Sequence, residues 1–167
     1  ARCIVTCDDN DSILRGANVL LQDGVISAIG TLGNVAADEV IDASKLILYP
    51  GLINTHHHLY QYFTRNLRHV QNLELFDWLT ALYDIWAHLN EDTVRLSSLG
   101  GMGELMKYGC TTCFDHHYVF PNGAGDLLAA QFAAAESLGM RMVSSRGSMS
   151  LSRKDGGLPP DSVVQSV

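Results

Sequence analysis

The sequence predicts an α/β fold built from parallel strands, and two observations support this prediction. Apolar strand-like runs alternate with segments in which apolar residues recur every three or four positions, from residue 46 to residue 146. The resulting order of strand, helix, strand, helix, strand is typical of right-handed βαβ units, whose strands form one parallel sheet. A chain of 167 residues is also long enough to bury a core of its own.

Residues 1–49 are predicted to form short strands separated by turns. The clearest signal is a hairpin at Asp23-Gly24, because this pair readily adopts the positive φ angles of a tight two-residue turn. The carboxylates within residues 8–11 lack the glycine and the terminal glutamate of a calcium-binding loop, so we interpret them as a solvated loop. No chemistry is predicted for this part of the chain.

Helical periodicity predicts three helices in the second part of the chain. Two of them cover residues 73–89 and 94–106, and the third is an alanine-rich helix over residues 125–138. Gly109 and Gly139 follow the second and third helices at the position that favours a left-handed cap. Three apolar runs alternate with these helices and are predicted strands, over residues 46–53, 110–117 and 140–146.

Three consecutive histidines follow the first of these strands, which we expect to be one buried strand. Side chains alternate along a strand, so His56 and His58 should point to one side and His57 to the other. Two imidazoles about 6 to 7 Å apart can bind one zinc ion, whose bonds to nitrogen are about 2.0 to 2.1 Å long. His56 and His58 are therefore the predicted metal ligands. An isolated His-x-His pair would equally fit two core histidines that bond to the backbone.

The surrounding residues resemble a known family. The pattern formed by Pro50, Gly51, His56 and His58 resembles the first barrel strand of the amidohydrolase superfamily. Gln61, three residues after His58, extends the resemblance to the deaminase branch. Within that branch, the sequence is most similar to the 8-oxoguanine deaminases at three segments: His56-His57-His58-Leu59-Tyr60-Gln61, Asp115-His116-His117-Tyr118 and Arg146-Gly147-Ser148-Met149-Ser150.

This resemblance implies the N-terminal part of a (β/α)8 TIM-type barrel in residues 50–167, with about three βα units, preceded by strands of a small β-sandwich in residues 1–49. It implies metal-dependent hydrolytic deamination of an oxidised purine or related N-heterocycle, with 8-oxoguanine converted to urate and ammonia as the specific expectation. One divalent ion, zinc or iron, would be bound by His56 and His58 and by ligands on later strands. The catalytic acid/base residues are likewise expected after Val167.

Gln61, His117 and Arg146 are the predicted substrate-binding residues. The Gln61 amide both donates and accepts hydrogen bonds, which suits the amide edge of a heterocycle. His116 and His117 must face opposite sides of their strand, so at most one of them enters the barrel mouth. Arg146 could pair with a urea-like oxygen or with Asp115.

Composition limits the partners. The formal net charge of −7, from 18 acidic and 11 basic residues, argues against a nucleic-acid partner. No apolar stretch approaches the length of a membrane span and no leader h-region is present, so we expect a cytoplasmic protein with no membrane contact. The four cysteines are interpreted as reduced core thiols. The expected partners are a small heterocyclic substrate and further copies of the chain in a homo-oligomer.

A closed barrel takes roughly 250 residues, and only three barrel strands are predicted here. We therefore expect an N-terminal portion of a longer protein that is inactive by itself. Two alternatives stay open. The substrate could be another heterocycle, such as isoxanthopterin, cytosine or a hydroxytriazine, or the barrel could be a non-catalytic scaffold.

Overall fold

The computed structural model describes residues 1–166 and divides the chain into two compact units, Ala1–Gly51 and Leu52–Val167. The division lies within two residues of the predicted start of the barrel portion at residue 50. That residues 1–49 belong to a composite β-sandwich stays a prediction.

The first unit contains two small sheets. Its strands are β1 (Cys3–Val5), β2 (Ile13–Arg15), β3 (Asn18–Gln22), β4 (Val25–Gly30) and β5 (Ile47–Leu48). β1 is central, antiparallel to β2 and parallel to β5, and β3 pairs with β4 as a hairpin. The hairpin turns at Asp23 and Gly24, which have φ angles of 52° and 76°. The predicted Asp-Gly turn is confirmed.

The apolar run at residues 46–53 is not the single buried strand that we predicted. Ile47 and Leu48 form β5, whereas β6 (Leu52–Asn54) belongs to the sheet of the second unit. Pro50 lies between them and has no N–H to donate, so the ladder cannot continue through it. Leu52 and Ile53 are 56% and 64% exposed, so burial does not hold these residues in the strand.

The second unit is built around a parallel sheet in the order β6, β7 (Cys110–His117) and β8 (Arg141–Arg146). Three helices connect its strands: α1 (Leu75–Trp86) and α2 (Glu91–Lys107) lie between β6 and β7, and α3 (Leu127–Leu138) lies between β7 and β8. Short 3-10 helices span Leu59–Thr64, Arg68–Val70, Arg153–Asp155 and Asp161–Val163. The predicted alternation of strands and helices is confirmed.

Local sequence signals explain where the long helices begin and end. The Asn90 side chain accepts a hydrogen bond from the backbone N–H of Thr93, and the Thr93 hydroxyl accepts one from the Asn90 backbone, which forms a capping box at the start of α2. Asp126 caps α3 in a similar way, and Gly139 ends it with a left-handed φ of 68°. Among residues 1–166, no helix is long and apolar enough to span a membrane.

The core of the second unit consists of two apolar clusters. An aromatic cluster surrounds Tyr60 and Trp86, with Leu82 and Val119 among its buried members. The other cluster lies where β7 packs against α2 and α3, and it includes Leu59, Met102, Cys113, Ala134 and Ala135. Among the four free cysteines, Cys113 is buried as predicted, but Cys7 is exposed. Core placement was therefore wrong for Cys7, which lies in a loop of the first unit with φ of 52°.

Candidate metal and substrate site

The three histidines lie between the end of β6 and the 3-10 helix Leu59–Thr64. The rings of His56 and His58 lie together, with centroids 5.1 Å apart and planes nearly perpendicular at 88°. His57 points elsewhere, towards α2, where its Cε1 lies 3.7 Å from the position that a Cβ on Gly101 would occupy. The alternation expected of extended backbone thus leaves two imidazoles side by side and separates the third from them.

The tautomer of His58 follows from its hydrogen bond. Its Nδ1 lies 2.7 Å from the backbone carbonyl oxygen of His116. A carbonyl can only accept, so Nδ1 carries a proton, and in the neutral imidazole the free lone pair is then on Nε2. This is the arrangement of metal-binding histidines, which usually donate their other N–H to a carbonyl or carboxylate.

The end of β7 lies against residues 56–59, which we call the histidine segment. The Asp115 side chain is fully buried, and its Oδ1 accepts a 2.6 Å hydrogen bond from the backbone N–H of Leu59. Its Oδ2 accepts a 2.8 Å bond from Nε2 of Gln131 on α3. Burial raises the pKa of Asp115, and these two hydrogen bonds act in the opposite direction.

His116 and His117 face opposite sides of β7, as strand geometry requires. His116 lies on the side of His58, with ring centroids 5.8 Å apart, and its Nδ1 lies 2.6 Å from the hydroxyl of Ser145. Tyr118 stacks on His116 at 5.4 Å and also meets the ring of His58 edge-on at 5.4 Å. His116 and Tyr118 are therefore aromatic neighbours of His58.

His117 lies in the aromatic core. Its ring is fully buried between Tyr60 and Phe120, at 4.8 and 4.7 Å between centroids, and its Nε2 donates to the carbonyl of Val119 at 2.9 Å. Burial lowers the pKa of His117 to about 4, so its imidazole is neutral at pH 7. This packing does not favour the predicted substrate contact, because a contact would first require the ring to leave the core.

Gln61 and Arg146 have different surroundings. Nε2 of Gln61 donates to the hydroxyl of Tyr60 at 3.2 Å and reaches that of Tyr118 at 3.5 Å, which places Gln61 beside the histidine pair. The Arg146 guanidinium lies 4.4 Å above the ring of Phe120, and its Nη1 donates to the carbonyl of Gly147 at 3.2 Å. The alternative pairing of Arg146 with Asp115 is not present, since Asp115 bonds to Leu59 and Gln131.

An open cavity of about 410 Å³ borders the three histidines and Gln61. Glu104 of α2 also lines this cavity, where it accepts a 2.6 Å hydrogen bond from Arg65, whose guanidinium lies 3.8 Å above the ring of Tyr62. The described part of the chain contains no group of three or more His, Cys, Asp or Glu side chains that could bind a metal. His56 and His58 thus fit a metal ion as two of its ligands, with a free Nε2 shown for His58, and not as a complete site.

The profile of the Amidohydrolase family matches residues 47–166. The chain belongs to the amidohydrolase family. It is 44% identical over 150 residues to 8-oxoguanine deaminase of Pseudomonas aeruginosa, a match that covers 88% of this chain and 33% of that protein. It is 37% identical over 176 residues to hydroxydechloroatrazine ethylaminohydrolase of Pseudomonas sp. strain ADP, which covers 98% of this chain and 37% of that protein.

Solved structures show the same relationship. The atrazine chlorohydrolase of Arthrobacter aurescens TC1, complexed with zinc, has a TM-score of 0.80 at 27% identity, over 99% of this chain and 38% of that chain. An amidohydrolase from an environmental sample of the Sargasso Sea has a TM-score of 0.74 at 31% identity, over 100% of this chain and 37% of that chain. The predicted fold class is confirmed by these family members. The chain spans about a third of the length of the curated relatives above.

Neither Asp115 nor His116 was among the predicted site residues, yet both adjoin the histidine segment. A signal was present: Asp115 is the one carboxylate in β7, and a buried carboxylate needs hydrogen-bond donors. The donors, Leu59 and Gln131, are 56 and 16 residues away in sequence. Hydrogen bonds between residues so far apart leave no pattern in the neighbouring sequence.

Proposed function

We propose that this chain supplies two metal ligands, His56 and His58, to a metal-dependent aminohydrolase that acts on amino-substituted N-heterocycles. The first candidate reaction is 8-oxoguanine plus water to urate plus ammonia. The observation that carries the proposal is the perpendicular pair of imidazoles, in which the bond to the His116 carbonyl leaves Nε2 of His58 free. The zinc complex of a family member supports zinc as the ion, and iron is the alternative.

A bound divalent ion supplies a water whose pKa is lowered from 15.7 to about 7. In the proposed reaction, oxygen from water bonds to the ring carbon that carries the amino group. The bond from that carbon to the amino nitrogen breaks, and the nitrogen leaves as ammonia with its own two hydrogens and one proton from water. The second proton of water ends on the adjacent ring nitrogen as the ring carbonyl forms. His58 contributes by presenting Nε2 in a fixed orientation, because its Nδ1–H is held by the carbonyl of His116.

Gln61 is the proposed substrate contact from this chain. Its amide lies beside His58 and is held by the hydroxyls of Tyr60 and Tyr118, which restricts its rotation. A restricted amide can distinguish donor and acceptor positions on a heterocycle edge. Arg146, whose side chain is exposed apart from its contact with Phe120, is a second candidate that would have to turn towards the substrate.

None of the described residues is proposed to transfer protons in this reaction. A general acid/base must come within hydrogen-bond distance of the reacting atoms, and the buried Asp115 already accepts bonds from Leu59 and Gln131. The carboxylate that transfers protons is thus proposed to come from elsewhere in the complete protein.

The location and the partners of the protein stay predictions: a cytoplasmic homo-oligomer that binds no nucleic acid.

The choice among heterocycles rests on the named relatives. The 8-oxoguanine deaminase is 44% identical to this chain, and isoxanthopterin deaminase is 34% identical over 148 residues. The relative that acts on hydroxydechloroatrazine is 37% identical. Identity favours 8-oxoguanine and keeps isoxanthopterin and hydroxytriazines as the alternatives to be tested.

The test measures ammonia release by the complete, zinc-loaded protein from 8-oxoguanine, isoxanthopterin, cytosine and a hydroxylated aminotriazine. We expect the fastest turnover with 8-oxoguanine and loss of both bound zinc and activity in His58→Ala. His88→Ala is the matched control, because His88 is an exposed histidine outside the site and its loss should change neither quantity. Faster turnover of another of these compounds would replace 8-oxoguanine as the proposed substrate. Absence of ammonia release from all of them would refute the proposed reaction.

A further inference from the structure

The buried carboxylate of Asp115 has no part in the proposed chemistry, yet a fully buried carboxylate is costly unless its hydrogen bonds are satisfied. A leucine or valine would fill this strand position without that cost. The two bonds that Asp115 accepts therefore indicate what the carboxylate does. One of them leads directly to the histidine segment.

Three hydrogen bonds join the end of β7 to consecutive residues of that segment. The backbone N–H of His116 donates to the carbonyl of His57 at 2.9 Å. The Nδ1–H of His58 donates to the carbonyl of His116 at 2.7 Å, and the N–H of Leu59 donates to Asp115 at 2.6 Å. The first two bonds use the β7 backbone and would persist with any side chains there. The third depends on the carboxylate of Asp115.

The carboxylate is itself held from behind. Nε2 of Gln131 on α3 donates to Oδ2 of Asp115 at 2.8 Å, and the side-chain Oε1 of Gln131 accepts from the hydroxyl of Ser144 on β8 at 3.2 Å. Gln131 and the Leu59 side chain are both fully buried. Asp115 thus connects α3 and β8 to the peptide immediately after His58.

We propose that Asp115 is a positioning residue for the metal ligand His58. By fixing the amide of Leu59, it fixes the backbone on the C-terminal side of His58, and the bond to the His116 carbonyl then sets the ring. Metal ligands must be held within about 0.5 Å of their productive positions, and a ligand on a segment without strand pairing needs such a constraint. This inference rests on the proposed function, because it assumes that His58 binds the metal.

The test compares the zinc affinity of variants of the complete protein, measured by competition with a chromophoric chelator, and the thermal midpoint of their metal-free forms. Asp115→Ala should weaken zinc binding by about 10- to 100-fold, the effect typical of residues that orient metal ligands. Asp115→Asn keeps an oxygen for the N–H of Leu59 and should lose less affinity. The matched control is Val94→Ala, which removes buried apolar contacts of α2 and breaks no hydrogen bond of Asp115. It should lower the thermal midpoint and leave zinc affinity close to that of the unchanged protein.

Unchanged zinc affinity in Asp115→Ala, with only a lower thermal midpoint, would show that Asp115 is purely structural and overturn the inference. If Asp115→Ala does not fold, Asp115→Leu replaces it, because leucine fills this strand position without accepting the N–H of Leu59. Weaker zinc binding in Asp115→Leu than in Val94→Ala supports the inference, and equal affinity overturns it. His58→Ala separates the two proposals. Unchanged zinc affinity in His58→Ala would refute the metal site itself. Weakened zinc affinity in His58→Ala, together with unchanged zinc affinity in Asp115→Ala, would refute only the role of Asp115.

Discussion

Replacing Gly147 by alanine should destabilise the protein and disturb the residues beside His58. Gly147 follows β8, and its backbone N–H donates to the carbonyl of His117 at 2.7 Å. A Cβ on Gly147 would lie 2.6 Å from Cβ of Tyr118 and 2.9 Å from Cε1 of His116. Carbon atoms in contact pack at about 3.5 to 4.0 Å. Because a Cβ atom is tied to its backbone, Tyr118 cannot avoid the overlap by changing rotamer.

The expected size follows from two opposing effects. Forcing one extra carbon into a packed site costs about 1 to 3 kcal/mol. Replacing glycine by alanine lowers the entropy of the unfolded chain and returns about 0.4 to 1 kcal/mol. We therefore expect Gly147→Ala to lower the free energy of unfolding by about 1 to 2 kcal/mol.

The assay is thermal unfolding of the complete protein, with Gly33→Ala as the matched control. Gly33 has nothing within 4 Å of its Cβ position, so the same exchange there should leave the midpoint unchanged or raise it slightly. Gly147→Ala should also reduce ammonia release, since His116 and Tyr118 both contact the ring of His58. If Gly147→Ala were as stable and as active as Gly33→Ala, the close approach described here would be wrong.

Two further predictions concern a helix cap and the cysteines. Asn90→Ala removes the acceptor of the α2 capping box and should cost about 1 kcal/mol of unfolding free energy, whereas Asn90→Asp should retain most of it; equal denaturant midpoints for both variants would contradict this. Burial raises the pKa of Cys113 to about 11, so its thiol stays protonated at pH 8, and alkylation followed by mass spectrometry should modify the exposed Cys7 first. Modification of Cys113 at the same rate in the folded protein would show that its surroundings are open.

Local sequence signals predicted most of the fold. The positive φ angles at Asp23 and Gly24, the left-handed cap at Gly139 and the helical periodicity of α2 each depend on a few neighbouring residues. The paired placement of His56 and His58 belongs to the same class, because alternation along extended backbone is set by chain geometry alone. Such features can be predicted from the sequence without knowing which residues pack against them.

Burial and long-range pairing could not be predicted in this way. β5 and β6 come from one apolar run, and only their pairing with different sheets shows that Pro50 separates two strands. Strand alternation showed that His116 and His117 face opposite sides, but it did not show which side holds the metal ligands. That was decided by α3, which packs on the side of β7 that carries Cys113 and also reaches Asp115 through Gln131.

The sequence by itself determined the order of strands and helices, their turns and caps, and the two imidazoles that face the same way. The tertiary structure alone decided that His58 has a free Nε2, that Asp115 holds the following peptide, and that His117 belongs to the core. The physical reason is that backbone geometry acts over a few residues, whereas a hydrogen bond or a buried contact depends on which distant part of the chain arrives beside it.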